Sequence, residues 1–176
     1  MSLKTLKRRR LECKTDYKLR LGLLKSSLSR IVIRKTNKQF IVQVVESSEA
    51  QDKVTLGITS RTLLDYGWNE KFSGSLKSIP AGYLTGYLVA KKLGKGEFII
   101  DLGMAINHKA GKLFAVIAGL TDGGLNVHAN KEVFPTKERS MGEHLKPEIR
   151  EMIVKVKEKI DGGKTETKEK KVTKKK

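Results

Sequence analysis

The decisive stretch for the fold is RIVIRKTNKQFIVQVV, residues 30–45. Its two ends, residues 30–34 and 40–45, are rich in the β-branched residues that favour strands. The short polar connection between them contains Asn37, a common turn residue. Two such runs joined by a short turn predict a β-hairpin, and without an Asn-Gly pair the turn type stays open.

The two faces of this hairpin differ in character. Ile31 and Ile33 share one side of the first strand, because side chains alternate along a strand. The other side carries Arg30, Val32 and Arg34. One face is therefore expected to be buried and the other to be partly basic. The basic face could extend a binding surface or be the wet side of a half-exposed sheet, and it includes Arg34, Lys35, Lys38 and Gln43.

Further strands extend the hairpin. A third strand is predicted over residues 54–58, with Val54, Leu56 and Ile58 on one face, which completes a three-stranded antiparallel meander. Residues 98–100 form a continuous apolar run that suits a strand buried on both faces. Residues 113–120 are apolar all round, so periodicity alone does not distinguish a buried helix from a buried strand there.

Helices are predicted between these strands. Residues 60–66 form a short helix with Ser60 as its N-cap and Gly67 just past its end, and residues 69–78 form a loop. A longer helix begins near Pro80, with Gly82 and Gly86 on one face for the close approach of a strand or loop. The element order indicates an α/β or α+β domain, a mixed sheet that begins with the meander and carries helices packed on it.

The charge of the chain is concentrated at its two ends. Its 176 residues carry 37 Lys and Arg against 19 Asp and Glu, a formal net charge of +18. Residues 1–35 hold 12 of the basic residues and 2 of the acids, residues 36–145 hold 13 and 11, and residues 146–176 hold 12 and 6. A nearly neutral body with cationic ends is typical of a protein that neutralises a polyanion, so nucleic acid is the expected partner.

The first 28 residues, named the arm here, are the stronger candidate for that contact. Arg8, Arg9 and Arg10 carry guanidinium groups suited to bidentate phosphate contacts. Tyr17 offers a stacking surface among the cations Lys14, Lys18 and Arg20. An ordinary solvated charge run is the alternative. The leucines at positions 19, 21, 23 and 24 could bind a membrane surface, or dock on the core.

Composition divides the rest of the chain into three segments. A mixed α/β core is expected over residues 29–145 and a C-terminal helix over residues 146–161. The Lys-rich tail, residues 162–176, contains one apolar residue, Val172, and is expected to be disordered because it buries too little to offset its ordering entropy.

Catalytic, metal and membrane functions find little support. The longest apolar stretch, residues 79–90, is shorter than the roughly 20 residues that a membrane helix needs. The single Cys13 forbids an internal disulfide, which suits a reducing cytosol. The three histidines lack zinc-site spacing, and no cofactor is expected. A two-metal nuclease could gather Glu46, Asp101 and Asp122, but Asp101 and Asp122 serve equally well as turn residues.

Three blocks of sequence resemble a known family. They are RRRLECKTDYKLRLGLLKSSLSRIVIRKTNK (residues 8–38), PAGYLTGYLVAKK (residues 80–92) and GLNVHANKEVFPTKERSMGEHL (residues 124–145). In this order and spacing they are similar to the large-subunit ribosomal proteins of the L-eighteen family, in its archaeal and eukaryotic branch. The likeness covers about residues 5–145, and a length of 176 residues suits the shorter archaeal form. Cys13 stands where the family often has glycine.

The resemblance implies a mixed α/β fold without catalysis, in the large ribosomal subunit of the cytoplasm. The implied partners are 5S rRNA, 23S rRNA and a ribosomal protein of the L-five family in the central protuberance. Neither a membrane nor a second copy of the chain is expected as a partner. An extended arm is expected to reach RNA bulges and minor-groove edges, because the RNA major groove is too narrow to read. The expected RNA-binding residues are Lys7, Arg8, Arg9, Arg10, Lys14, Thr15, Tyr17, Lys18, Arg20, Arg34, Lys35, Asn37, Lys38, Lys77 and Ser78.

Overall fold

A computed structural model describes residues 6–48 and 51–162 of the chain. Within these residues, five strands form one sheet: β1 (Arg30–Lys35), β2 (Phe40–Ser48), β3 (Gln51–Thr59), β4 (Glu97–Asp101) and β5 (Asn126–Val127). The strand order is β3-β2-β1-β4-β5. The first three strands pair antiparallel, whereas β1 with β4 and β4 with β5 pair parallel. The predicted mixed sheet with its three-stranded meander is confirmed. Apart from Gly162, the predicted tail lies outside the described residues.

The described helices precede, separate and follow these strands. They are α1 (Arg8–Leu11), α2 (Tyr17–Lys25), α3 (Ile79–Leu93), α4 (Lys112–Asp122), α5 (Lys137–Met141) and α6 (Pro147–Asp161). The apolar run at residues 113–120, open between helix and strand, is therefore helical. In the described part of the chain, no helix combines the length and apolar character that crossing a membrane requires.

Two connections differ from their sequence-based expectation. The helix expected over residues 60–66 is a 3-10 turn, Ser60–Leu64. Ser60 does not cap it, because its hydroxyl oxygen accepts a hydrogen bond from the backbone N–H of Phe40 at 3.1 Å. This contact joins the residue after β3 to the first residue of β2. The loop expected over residues 69–78 contains a second 3-10 segment, Glu70–Ser75.

The helices α3 and α4 form the centre of the core. Residues 80–90 of α3 are all buried, and Ile31 and Ile33 of β1 are fully buried on the same side of the sheet. A Cβ on Gly86 would lie 2.1 Å from the carbonyl oxygen of Val116, and one on Gly119 would lie 2.1 Å from that of Tyr83. No side chain fits at these distances. The close approach expected at Gly86 therefore exists, but its neighbour is a helix rather than a strand or loop.

Two strand predictions need correction. Val54 is 50% exposed, whereas it was expected to share the buried face with Ile58. The cause is an irregularity in the β2–β3 pairing between Val44 and Val45, which shifts the alternation of β3. Residues 98–100 are half-buried rather than enclosed on both faces, since the central helices cover one face of the sheet only.

The C-terminal helix α6 packs beside α3. It buries Met152, Ile153, Val156 and Ile160. The hydroxyl of Tyr87 on α3 donates a hydrogen bond to the Asp161 carboxylate at 2.6 Å. The last helix is therefore part of the folded body.

Candidate nucleic-acid interface

The described part of the arm, residues 6–28, is helical in two pieces rather than extended. The single turn α1 is followed by Cys13, whose φ of 50° lies in the left-handed region that favours glycine. This backbone bend gives a physical reason why glycine suits that position. Asp16 then caps α2, because its Oδ1 accepts hydrogen bonds from the N–H groups of Lys18 and Leu19 at 2.9 and 3.1 Å.

The arm lies against the face of the sheet that carries Arg34 and Asp101, and its Leu19 and Leu23 share a cleft with Phe114 and Ile117 of α4. Its helix α2 buries no residue completely, and Leu19 and Leu21 are 44% and 56% exposed. Leu23 and Leu24 are half-buried. Docking on the core, one of the two alternatives for these leucines, is therefore partial.

A chain of alternating charges joins the arm to this face. Arg20 Nη2 lies 2.8 Å from Asp52 Oδ2, and Arg30 Nη2 lies 2.7 Å from Asp52 Oδ1. Asp101 then lies 3.9 Å from Arg30 Nη1 and 3.1 Å from Arg34 Nη2. Three guanidinium groups thus alternate with two carboxylates across α2, β3, β1 and β4.

Arg30 is the centre of this chain and corrects a sequence-based expectation. The alternation of β1 placed Arg30 on the partly basic face, but its side chain is only 2% exposed. A buried guanidinium is tolerated only when it is paired and hydrogen-bonded. Asp52, Asp101 and the Ser47 hydroxyl, 2.7 Å from Arg30 Nη2, supply the partners. Arg30 is therefore a structural residue of this face.

Asp52 remains ionised in this setting. Burial raises the pKa of its carboxyl group, but the hydrogen bond from Ser47 and the guanidinium groups of Arg20 and Arg30 outweigh that effect. The pKa of Asp52 consequently lies below its ordinary value. Near neutral pH the contact between Asp52 and Arg20 is an ion pair.

Most of the predicted arm cations are exposed, and several have partners within the arm. Arg9 donates from Nε to the Thr15 hydroxyl at 2.8 Å. Lys14 lies 2.7 Å from Glu12, and Arg8 lies 3.8 Å from the same carboxylate. Such exposed pairs are weak and can be exchanged for phosphate contacts. The exposed cations are Lys7, Arg8, Arg9, Arg10, Lys14 and Lys18.

Tyr17 is half-buried at the start of α2, and the Lys7 ammonium lies 4.6 Å from its ring centroid. A cation over an aromatic face is attracted by about 0.5–1 kcal/mol at an exposed site. A stacked base would therefore have to displace Lys7 or use the other face of the ring.

The fold brings the arm together with Arg34 of β1. Arg9, Lys14, Thr15, Arg20 and Arg34 share a cleft of about 140 Å³ between the arm and the end of β4. The exposed residues Lys35, Asn37 and Lys38 follow directly in the hairpin turn. Of the candidate residues in the hairpin, Arg34 is the one that lines this cleft with the arm.

Lys77 and Ser78 lie at the beginning of α3. The Ser78 hydroxyl accepts from the N–H of Ala81 at 3.4 Å, so it caps the helix. Within the described residues, no side-chain hydrogen bond or ion pair joins either residue to the arm. A Cβ on Gly82, one turn along α3, would lie 3.2 Å from the Phe40 ring, so this helix start is near the hairpin end of the sheet.

The loop between β4 and α4, residues 102–111, was missed as part of this surface. Gly103 packs on the Arg34 guanidinium and shares the cleft with the arm. Met104 and Ile106 are 55% and 78% exposed, followed by the exposed His108 and Lys109. No sequence signal marked this loop, because the exposure of Met104 and Ile106 follows only from the way β4 pairs with β1.

The nuclease alternative fails on geometry. Asp101 is held by Arg30 and Arg34 and also accepts from the N–H of Gly103 at 2.7 Å, as a turn residue does. Asp122 accepts a hydrogen bond from the Tyr83 hydroxyl at 2.9 Å. Among residues 6–48 and 51–162, no three His, Cys, Asp or Glu residues come close enough together to hold a metal ion.

Comparison with known proteins decides the family. Residues 2–97 match the family model described as "Ribosomal large subunit proteins 60S L5, and 50S L18". The chain belongs to this family. The resemblance found in the sequence is confirmed, and members of this family are structural, non-enzymatic components of the ribosome, which also confirms that the chain is not an enzyme.

Relatives of this family support the archaeal form. The chain is 43% identical over 141 residues to "Large ribosomal subunit protein uL18" of Korarchaeum cryptofilum, covering 78% of this chain and 70% of the relative. It is 42% identical to the protein of that name from Methanoculleus marisnigri, covering 78% of each. The Picrophilus torridus protein is 40% identical over 147 residues, covering 82% and 89%.

Proposed function

We propose that the chain binds 5S rRNA in the large ribosomal subunit, in the cytoplasm, and helps attach it to 23S rRNA in the central protuberance. The partner there is a ribosomal protein of the L-five family. Membership of the family supports the ribosomal role, and the resemblance of residues 8–38, 80–92 and 124–145 supports the named RNAs and the protein partner.

The observation that carries the proposal is the docked arm. Arg9, Lys14 and Arg20 of the arm share a cleft with Arg34, which directly precedes the hairpin lysines, on a body that is nearly neutral; this arrangement supports the proposal. Phosphate contacts from such cations supply affinity, while RNA shape and unstacked bases supply selectivity. The arm of residues 1–28 thus binds, and the core of residues 29–145 with the helix at 146–161 positions it. We assign the tail, residues 162–176, loose electrostatic attraction at most.

The proposed RNA-contacting residues are those of the arm, the hairpin turn and the start of α3. Arg20, Arg34 and Ser78 also have structural partners, which are Asp52, Asp101 and the N–H of Ala81 respectively. The full set is Lys7, Arg8, Arg9, Arg10, Lys14, Thr15, Tyr17, Lys18, Arg20, Arg34, Lys35, Asn37, Lys38, Lys77 and Ser78.

The test is the affinity of the full chain for 5S rRNA, tRNA and random duplex DNA at near-physiological salt. We expect the tightest binding to 5S rRNA. If about eight phosphates are neutralised, the logarithm of the affinity should fall against the logarithm of salt concentration with a slope of about −6 to −7. Equal binding to all three nucleic acids would reject a specific 5S rRNA function and leave a general polyanion binder.

A further inference from the structure

We propose that Asp52, an acidic residue of the core, increases the affinity of the chain for RNA by holding the arm in its docked position. Asp52 is a positioning residue in this scheme, since it acts through Arg20 and does not itself contact RNA. The inference rests on the proposed function and adds a determinant of affinity outside the cationic surface.

The contacts of Asp52 single it out. Its Oδ2 accepts from Arg20 at 2.8 Å, and its Oδ1 accepts from Arg30 at 2.7 Å and from the Ser47 hydroxyl at 2.6 Å. Arg30 is itself buried and paired to Asp101. The carboxylate that receives the arm is therefore held from the core side by the buried Arg30 and by the Ser47 hydroxyl.

The arm has little else to hold it. Among residues 6–48 and 51–162, Arg20 to Asp52 is the only side-chain hydrogen bond or ion pair between the arm and the core. Helix α2 contains no fully buried residue. Loss of this pair would leave α2 held only by its half-buried leucines, and the arm would have to be ordered again when RNA binds. That ordering lowers affinity.

The scheme also reassigns Arg20. With its guanidinium 2.8 Å from Asp52, Arg20 is paired before RNA arrives. Arg9 and Lys14 line the same cleft and have only exposed partners within the arm. We therefore assign phosphate contact mainly to these neighbours and anchoring of α2 to Arg20.

Net charge and positioning predict opposite results for one substitution. Asp52→Asn raises the net charge by one, so simple attraction to a polyanion predicts tighter RNA binding. Positioning predicts weaker binding, because the arm is released. Glu46→Gln is the matched control: it makes the same change in charge on neighbouring β2, and Glu46 is exposed with no ion pair among the described residues.

The first experiment measures the dissociation constant for 5S rRNA at several salt concentrations, with thermal unfolding as a check of the fold. Asp52→Asn should weaken binding about threefold to tenfold and flatten the salt slope, whereas Glu46→Gln should leave affinity unchanged or slightly increased. Equal or tighter binding by Asp52→Asn, with the slope unchanged or steeper, would overturn the proposal.

A second pair of variants covers the case in which Asp52→Asn unfolds the core through Arg30. Arg20→Gln removes only the arm side of the contact, and Lys18→Gln removes the same charge from an exposed position of α2. Amide hydrogen exchange in α2, measured without RNA, should accelerate in Arg20→Gln and stay unchanged in Lys18→Gln. The same α2 exchange rate in both variants would refute the anchoring role.

These readouts also separate the two proposals. If the unaltered chain shows no preference for 5S rRNA, the proposed function fails, while hydrogen exchange in the free protein still decides whether Asp52 holds the arm. If the preference is present and Asp52→Asn binds as Glu46→Gln does, the proposed function stands and the positioning role fails.

Discussion

The arm and the α3–α4 helix pair are held in place by opposite kinds of contact. Residues 80–90 of α3 are buried throughout, and the two helices meet at Gly86 and Gly119 with no room for a side chain. The arm helix α2 has no fully buried residue, and within the described residues Arg20–Asp52 is its one side-chain ion pair with the core, beside partly docked leucines. A fully buried aliphatic side chain contributes about 1.5–3 kcal/mol, and an exposed ion pair about 0–1 kcal/mol.

This difference suits a protein in which one surface adapts its contacts to RNA while the body keeps a fixed structure. The arm can exchange its internal pairs for phosphate contacts at small cost, because each pair is weak and solvated. The helix pair cannot rearrange without losing packing over its whole length. Substitutions in the two regions should therefore separate folding from binding, and the following predictions test that separation.

The largest effect is expected on the stability of the helix pair, and a glycine-to-alanine substitution made separately in each region tests it. Gly86→Ala places a Cβ 2.1 Å from the Val116 carbonyl oxygen and should destabilise the fold by about 3 kcal/mol or prevent folding. Gly22→Ala in α2 meets nothing within 4 Å and should stabilise that helix by about 0.5–1 kcal/mol. Denaturant unfolding of both variants provides the measurement. A tolerated Gly86→Ala would contradict the close helix contact.

The next effect is expected on binding alone. Changing Arg8, Arg9 and Arg10 together to Ala should weaken 5S rRNA binding by about 2 kcal/mol and flatten the salt slope by about 2–3. The unfolding temperature should stay unchanged, since α1 buries no residue. An unchanged slope would refute the role of this part of the arm, and a lowered unfolding temperature would mean that the arm supports the core.

A smaller effect on binding is expected at Tyr17. Tyr17→Ala should weaken binding by about 1 kcal/mol if a base stacks on the ring, in competition with Lys7. Tyr17→Phe keeps the ring and should bind as the unaltered chain does. Equal affinity of all three would favour a packing role for this tyrosine at the start of α2.

The smallest effects are expected from pH, and they have opposite signs in the two regions. The pKa of Asp52 is lowered, so the arm contact is complete above its ordinary value near 4 and is lost as the pH falls through the lowered value. Burial and the acceptors Asp122 and Asp161 raise the pKa values of Tyr83 and Tyr87, so their contribution is complete below about pH 10 and is lost in stronger alkali.

Two measurements check these signs. Hydrogen exchange in α2, corrected for the intrinsic rate, should accelerate between pH 6 and pH 3, and Asp52→Asn should remove that change. Thermal unfolding should show a loss of core stability as the pH rises from 10 to 12, and Tyr83→Phe combined with Tyr87→Phe should reduce that loss. Faster exchange in α2 at high pH, with no loss of core stability, would contradict the assignment of the acid-sensitive contact to the arm and of the alkali-sensitive contacts to the core.

Much of the fold was predictable because it depends on local patterns. The alternation in residues 30–45 predicts the hairpin, and Pro80 predicts the start of α3. The exposed Val54 was not predictable, because a bulge shifts the alternation of a strand without changing its composition. The apolar run at residues 113–120 stayed ambiguous because it has no polar face to set a period.

The sequence predicted which residue types make up the interface, but it did not predict which of these residues contact one another. The basic residues of the arm and hairpin are visible in the sequence, and the family resemblance supports their role. Arg30, however, looks like any other cation of β1, and nothing in the sequence relates it to Asp52 or Asp101, which lie 22 and 71 positions away. The loop at residues 102–111 joins the surface only because β4 pairs with β1.

The amino-acid sequence by itself determined which residues are cationic, which alternate in strands and which family the chain resembles, since these properties depend on residue type and short-range order. Only the tertiary structure decided that Gly86 lies against the Val116 carbonyl of a second helix and that an aspartate of the core receives the arm. Such contacts join residues that are far apart in the chain. They form because the strands and helices pack together to bury a shared apolar core, and this packing brings those residues close in space.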